Sequence, residues 1–211
     1  VACVQWIDEY QLLFEEAGWL LNQAGTMLRH YARYAEAEKM YERALRIDEQ
    51  VSGPDHPHTA TTLNNLATLL GIQRRYERAV QLYERALRIR ERVLGPEHPE
   101  TSSTINGLAL LYSNWHRYDA SQPLYERALR IREHVLGPEH PDTAMTLDNF
   151  AMLYRQQDNY EQARPLFERA LQIREHALGP EHPMTASTIN NLAVLYRLQG
   201  NYEQASGSTR N

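Results

Sequence analysis

The sequence predicts an all-α fold, a right-handed α-solenoid in which antiparallel helix pairs stack into a superhelix. Two observations carry this expectation. The first is a loop that returns at constant spacing: Gly53-Pro54-Asp55-His56-Pro57, Gly95-Pro96-Glu97-His98-Pro99, Gly137-Pro138-Glu139-His140-Pro141 and Gly179-Pro180-Glu181-His182-Pro183 follow one another every 42 residues. A fixed period of about 20–50 residues is the mark of tandem structural repeats, in which each unit buries its apolar face on its neighbours. The second is the content of each period, two apolar stripes of helical spacing separated by a short polar break.

The period from Thr101 to Leu136 shows both stripes. Ile105, Leu108, Ala109 and Tyr112 fall at i, i+3, i+4 and i+7 and define a first helix, A. After Trp115-His116-Arg117 a second stripe runs through Tyr118, Leu124, Tyr125, Ala128, Leu129, Ile131 and Leu136 and defines helix B. Gly137 suits the left-handed residue just past a helix end, Pro138 cannot continue the helix, and Pro141 is placed to open the next helix A. The same stripes return as Leu21, Ala24, Gly25, Leu28 with Tyr34, Ala37, Tyr41, Ala44, Leu45; as Leu63, Leu66, Ala67, Leu70 with Tyr76, Ala79, Tyr83, Ala86, Leu87; and as Leu147, Phe150, Ala151, Tyr154 with Tyr160, Ala163, Phe167, Ala170, Leu171. Alanines at the crossings allow close helix approach, and the larger residues fill the space between layers. Pro123 and Pro165 lie inside helix B and predict a slight bend without a break. Glu42/Arg46, Glu84/Arg88 and Glu126/Arg130 stand at i, i+4 and read as pairs on a solvated face.

These stripes give the expected organisation. Residues 1–16, with Cys3, Val4, Trp6, Ile7, Tyr10, Leu12, Leu13 and Phe14, form an N-terminal helical segment; 17–205 form about four and a half repeats (17–52, 53–94, 95–136, 137–178 and 179–205); 206–211 form a flexible tail. The fifth repeat carries a full helix A with Ile189, Leu192, Ala193 and Tyr196, then the first residues of a helix B at 201–205. Its apolar face is expected to pair with another chain or with neighbouring copies of this one, a route to self-association through the incomplete repeat, and both ends read as those of a fragment.

Composition narrows the function. With Lys+Arg 22 against Asp+Glu 27 and a net charge of −5, the chain has no basic face of the kind nucleic acid selects. A single cysteine allows neither an intrachain disulfide nor a multi-cysteine zinc site, which fits a reducing, cytoplasmic setting. No apolar run approaches the roughly 18 residues of a membrane span. The four loop histidines belong to successive repeats about 10 Å or more apart, too far to share a metal whose Zn–N bonds are about 2.1 Å, so a structural role at a helix end is expected for them. No nucleophile–base motif is present, so no enzyme activity, cofactor or metal is expected.

The register of Ala, Tyr, Ala, Tyr/Phe and Ala-Leu resembles the tetratricopeptide repeat. The 42-residue period, with Leu63-Asn64-Asn65-Leu66-Ala67 in helix A, Tyr83-Glu84-Arg85-Ala86-Leu87 in helix B and the Gly-Pro-Glu-His-Pro loop, is similar to the kinesin-light-chain subclass over residues 18–205. Such repeats also occur behind nucleotide-binding domains of bacterial NB-ARC signalling proteins, and Ala17 to Gly25 resembles the entry repeat there. This leaves an alternative in which the chain is a sensory or autoinhibitory arm of a larger signalling ATPase.

The candidate site follows from the face of helix A opposite its core stripe. Amide-rich pairs recur at Asn22-Gln23, Asn64-Asn65, Asn106-Gly107, Asp148-Asn149 and Asn190-Asn191. A ladder of amides suits the N–H and C=O groups of an extended peptide whatever its sequence. Beside it Thr26, Thr68, Leu110, Met145, Met152 and Val194 vary from repeat to repeat, and Arg29, Arg155 and Arg197 can hold carboxylates. The expected peptide-binding residues are therefore Asn22, Asn64, Asn65, Asn106, Asp148, Asn149, Arg155, Asn190, Asn191 and Arg197. The family resemblance implies the same protein–protein role and, for its kinesin-light-chain branch, an acidic peptide with an aromatic anchor. Trp115, at the turn between helices, is read as either a local packing residue or a ligand contact.

Overall fold

A computed structural model describes residues 15–208. Among these residues there are nine helices and no strand: α1 (Glu15–His30), α2 (Tyr34–Val51), α3 (Pro57–Ile72), α4 (Tyr76–Val93), α5 (Pro99–Asn114), α6 (Tyr118–Val135), α7 (Pro141–Gln156), α8 (Tyr160–Leu178) and α9 (Pro183–Ser208). Odd-numbered helices are the A helices of the repeat and even-numbered ones the B helices. The chain forms two compact units, one ending at Trp115 and one starting at His116. The first contains α1–α5 and the second α6–α9. The N-terminal helical segment expected over 1–16 lies almost wholly outside the described residues, and 15–16 already belong to α1.

Helix pairs within each unit are closed by the same buried set. In the first unit Ala17, Leu21, Ala44 and Ile47 form one cluster, and Ala60, Leu63, Ala86 and Ile89 form the next. In the second unit Ala144, Leu147, Ala170 and Ile173 repeat the pattern, and Ala151, Ala163 and Phe167 pack with Leu192 and Leu195 of α9. The helix B members Ile47, Ile89 and Ile173 are within the core, although the stripe read from those periods ended at the neighbouring leucine.

The loops behave as their residues dictate. Gly53, Gly95, Gly137 and Gly179 take φ of 106°, 101°, 100° and 88°, where a Cβ would be strained. Pro57, Pro99, Pro141 and Pro183 each open a helix. The histidine before each of them is the N-cap: Nδ1 of His56, His98, His140 and His182 accepts from the backbone N–H two residues on, at 3.3, 3.1, 3.1 and 3.2 Å. A threonine two residues after the proline completes the loop. The hydroxyls of Thr59, Thr101, Thr143 and Thr185 donate to the carbonyls of Gly53, Gly95, Gly137 and Gly179 at 2.7–2.9 Å. The recurring motif is thus Gly-Pro-x-His-Pro-x-Thr, a closed cap in which the histidine and the threonine each have a bond to make.

The turn from helix A to helix B uses a different device, a non-glycine residue in the left-handed region: Ala32, Arg74, His116 and Asp158, with φ of 56–60°. The equivalent position one period later is Gly200, which suits such a turn best of all. There, however, α9 continues unbroken to Ser208, so the break into a fifth helix B is not made. The sequence supplies a reason. Elsewhere the strained turn is supported by burial of the following helix B, whereas the stretch after Gly200 keeps Tyr202 and Ala205 but has Thr209 in place of the buried Tyr or Phe. Both α6 and α8 continue past Pro123 and Pro165 as single helices, without a break.

Two substitutions test these contacts by chemical denaturation. A Cβ on Gly25 would sit 2.8 Å from the ring of the fully buried Tyr41, so Gly25→Ala is expected to lose about 1–3 kcal/mol to overpacking, outweighing the roughly 1 kcal/mol gain in helix propensity. His98→Ala is expected to cost about 1 kcal/mol through the lost cap, and His98→Asn to restore most of it. Equal stability of wild type and the alanine variant would show that the imidazole bond contributes nothing.

Candidate functional site

Four positions one period apart on the B helices, Asp48, Arg90, Arg132 and Arg174, are all buried. Each lies 14 residues before a buried threonine of the following A helix, Thr62, Thr104, Thr146 or Thr188. In the first unit the Thr62 hydroxyl donates to Asp48 Oδ2 at 2.7 Å, and Asn22 Nδ2 donates to Thr62 Oγ1 at 2.8 Å. Arg90 Nη1 donates to Thr104 Oγ1 at 2.6 Å and to the Glu100 carbonyl at 3.0 Å, while Nη2 lies 3.3 Å from the Glu100 carboxylate. In the second unit Arg132 Nη1 donates to the Asp142 carbonyl at 2.6 Å and to Thr146 at 2.8 Å. Arg174 reaches Asp148, Thr188 and the carbonyl of Met184, and Thr188 donates to Asp148 at 3.1 Å. These are buried charges held by dedicated partners, the condition under which such groups are tolerated. Desolvation lowers the pKa of the Arg90 and Arg132 guanidiniums, opposed by the charges of Glu100 and Asp142.

This polar joint determines where the amides predicted as ligand contacts go. Asn22 is half-buried and spends its Nδ2 on Thr62, and its Oδ1 accepts from Asn65 Nδ2 at 2.8 Å. Asn106 and Asp148 are buried, and Asn64, Asn106 and Asp148 each place an Oδ1 out of solvent without a hydrogen-bond partner. The other five predicted residues lie in the second unit. Asn149 and Arg155 on α7 and Asn191 on α9 are half-buried, and Asn190 and Arg197 on α9 are exposed. None of the five side chains makes a hydrogen bond or ion pair among the described residues. Asp148, Met152 and Arg155 stand at i, i+4 and i+7 of α7, as Asn190, Val194 and Arg197 do on α9, so each set shares one face. The Thr188–Asp148 bond ties the two helices together beside it.

Neighbouring positions have internal duties that the sequence did not reveal. Thr26 bonds the Tyr41 hydroxyl at 3.1 Å and Thr68 bonds that of Tyr83 at 2.8 Å. In the second unit the corresponding position is Met152, and the helix B partner is Phe167, which has no hydroxyl to satisfy. Trp115 packs locally, stacked on Tyr76 at 5.6 Å and Tyr112 at 6.4 Å. Phe150 stacks between Tyr125 and Tyr154 at 5.6 and 4.8 Å. The i, i+4 charge pairs read from helix B are not made. Instead acidic residues reach an arginine 36 positions later on the next B helix, Glu42 with Arg78 at 2.9 Å, Glu49 with Arg85 at 2.6 Å and Glu133 with Arg169 at 2.6 Å. No group of acidic, histidine or cysteine residues suited to a metal occurs among the described residues, nor is any described helix long and apolar enough to cross a membrane.

Tandem helix pairs with a capped loop, a polar joint and unspent polar groups on helix A define a repeat scaffold of the protein-interaction class. The tetratricopeptide-repeat profile matches residues 16–91, 72–133, 115–176 and 148–207, and the chain belongs to that family. Comparison with curated proteins finds no sequence match. Among solved structures it is similar to BtubC (BKLC) from P. vanneervenii, at 23% identity over 90% of this chain and 77% of that one, with a TM-score of 0.73. It is also similar to a putative kinesin light chain with nearly identical TPR-like repeats from Podospora anserina, at 21% identity over 93% of both chains, with a TM-score of 0.74. These comparisons concern the repeats and say nothing of a signalling ATPase.

The Asp148 joint gives a pH prediction. Burial raises the pKa of this carboxyl, and the Arg174 charge and the bonds from Thr188 and Arg174 pull it back only in part. A carboxyl with a raised folded pKa favours folding below the ordinary Asp value of about 3.9 and loses that contribution as pH rises through the raised value. Asp148→Asn restores the amide found at Asn64 and Asn106 and removes the titration. Wild type is therefore expected to lose stability relative to Asp148→Asn as pH increases from about 4, measured by denaturant titrations at several pH values. A difference that does not change with pH would contradict this assignment.

Proposed function

We propose that the chain binds an extended peptide segment of a partner protein along its A helices, and that in the second unit α7 and α9 supply the contacts. The observation that carries this reading is the unspent hydrogen-bonding capacity of Asn149, Arg155, Asn190, Asn191 and Arg197 on helices whose deeper polar groups are committed to the joint. Each amide offers a donor and an acceptor to a peptide backbone, and the two guanidiniums offer charge-assisted bonds to carboxylates. Met152 and Val194, between the polar residues of each row, are half-buried and form an apolar seat for one side chain. The reading favours an acidic segment with one large apolar residue. In the first unit Asn22 and Asn65 are bonded to each other, so the capacity that Asn22, Asn64, Asn65 and Asn106 leave for a ligand is smaller.

The test begins with a peptide selected from a random library against the full chain. Asn149→Ala and Arg155→Ala are each expected to weaken binding about five- to tenfold, the effect of one hydrogen bond to a charged or amide partner. Their unfolding transitions should stay within experimental scatter of wild type, because neither side chain has an intrachain bond to lose. Unchanged affinity of the double variant in calorimetry would remove α7 from the binding face.

A further inference from the structure

In the first unit Asp55, Arg85, Arg88, Ile89 and Arg92 line a surface cavity of about 130 Å³. The three arginines stand at i, i+3 and i+7 of α4, so their side chains leave the helix from one face. Two of them are held in place. Arg85 pairs with Glu49 at 2.6 Å and its Nη2 lies 3.3 Å from the carbonyl of Pro54, and Arg92 pairs with Asp55 at 2.7 Å. Arg88 is exposed and its guanidinium has no hydrogen bond or ion pair among the described residues, Glu84 included. Three guanidiniums against the carboxylates of Glu49 and Asp55 leave one positive charge uncompensated, above an apolar floor formed by the buried Ile89. The set is peculiar to this repeat. One period away in either direction, and two periods on, the same positions carry Arg43, Arg46 and Gln50; Arg127, Arg130 and His134; and Arg169, Gln172 and His176.

We propose that this cavity binds a tetrahedral oxyanion of the phosphoryl type. A phosphoryl group presents three acceptor oxygens and a charge of about −1.5 to −2, enough to engage both the unpaired Arg88 and the fork of Arg92, whereas the two oxygens of a carboxylate are satisfied by a single Arg fork. The volume is several times the roughly 30 Å³ share of one water molecule, enough for the group with its nearest solvent. Arg88 supplies the uncommitted charge, Arg92 is free to share its fork between Asp55 and the ligand, and Arg85, fixed by Glu49 and close to Pro54, shapes the wall. The site is on α4 and the loop between α2 and α3, apart from the A-helix residues assigned to peptide binding, and does not depend on that assignment.

Titration of the full chain with sodium phosphate at constant ionic strength, followed by the arginine Nε–H resonances in NMR, tests the proposal. Saturable shifts of the Arg88 and Arg92 signals are expected, with sodium acetate producing none. Arg88→Ala should weaken phosphate binding about tenfold, while Arg46→Ala, at the equivalent position of the preceding repeat, leaves it unchanged. A short phosphoserine peptide beside its unphosphorylated form identifies the source: tighter binding than inorganic phosphate assigns the group to a partner chain, and equal binding assigns the free ion. Equal responses to phosphate and acetate, or equal effects of Arg88→Ala and Arg46→Ala, would overturn the site.

Discussion

A helix pair of this length cannot bury its apolar stripes alone, and the way one pair is registered on the next depends on the polar joint near the end of each B helix. The residue at Asp48, Arg90, Arg132 or Arg174 is taken out of water and bonded to a threonine of the following A helix. Apolar packing alone tolerates sliding, because many leucine and alanine contacts have similar energies. A buried guanidinium or carboxylate does not, because a shift of even one residue strands a charge at a cost of several kcal/mol. The joint therefore does for the repeats what register does for a sheet.

The same constraint explains the division of labour on helix A. Its first amide position lies beside the joint and is drawn into it, by donation to Thr62 in the case of Asn22 and by pairing with Arg174 in the case of Asp148. The first interface places its acid on helix B and its amide on helix A; the last places its acid on helix A and an arginine on helix B. Both interfaces bond the buried threonine to a buried acid, with opposite charge patterns. Gly18 fits this account, since a Cβ there would lie 2.1 Å from the Asp48 carboxylate, and only the repeat that carries the aspartate has a glycine at that position. Polar groups left over after the joint is complete are those on which the proposed peptide contact rests.

Packing also couples positions that seem free to vary. Thr26 and Thr68 are answered by tyrosines, and Met152 is followed on helix B by Phe167. Each choice leaves no hydroxyl without a bond, which is the cheaper arrangement in a buried setting. Part of the variation along the A helices thus reflects satisfaction of the neighbouring B helix.

The all-α class, the 42-residue period, the helix boundaries at proline and glycine and the apolar core were legible in the sequence because they depend on local periodicity and on residues with restricted backbone angles. The role of the loop histidine as a helix-end residue was legible for the same reason. Which amides were spent was not. Asn65 and Asn149 occupy the same repeat position in similar sequence surroundings, yet Asn65 is bonded to Asn22, 43 residues away, and Asn149 has no such partner among the described residues. The charge pairs diverged for a related reason: Glu42 finds Arg78 on the adjacent B helix, a distance that spacing along one helix cannot express. Gly200 is the opposite case, a residue well suited to a turn in a segment where the helix continues. By itself the sequence determined the repeating unit, because short-range backbone preferences and apolar spacing act within it; the tertiary structure alone decided which polar groups remain unpaired, because a buried hydrogen bond is settled only when both of its partners are in place.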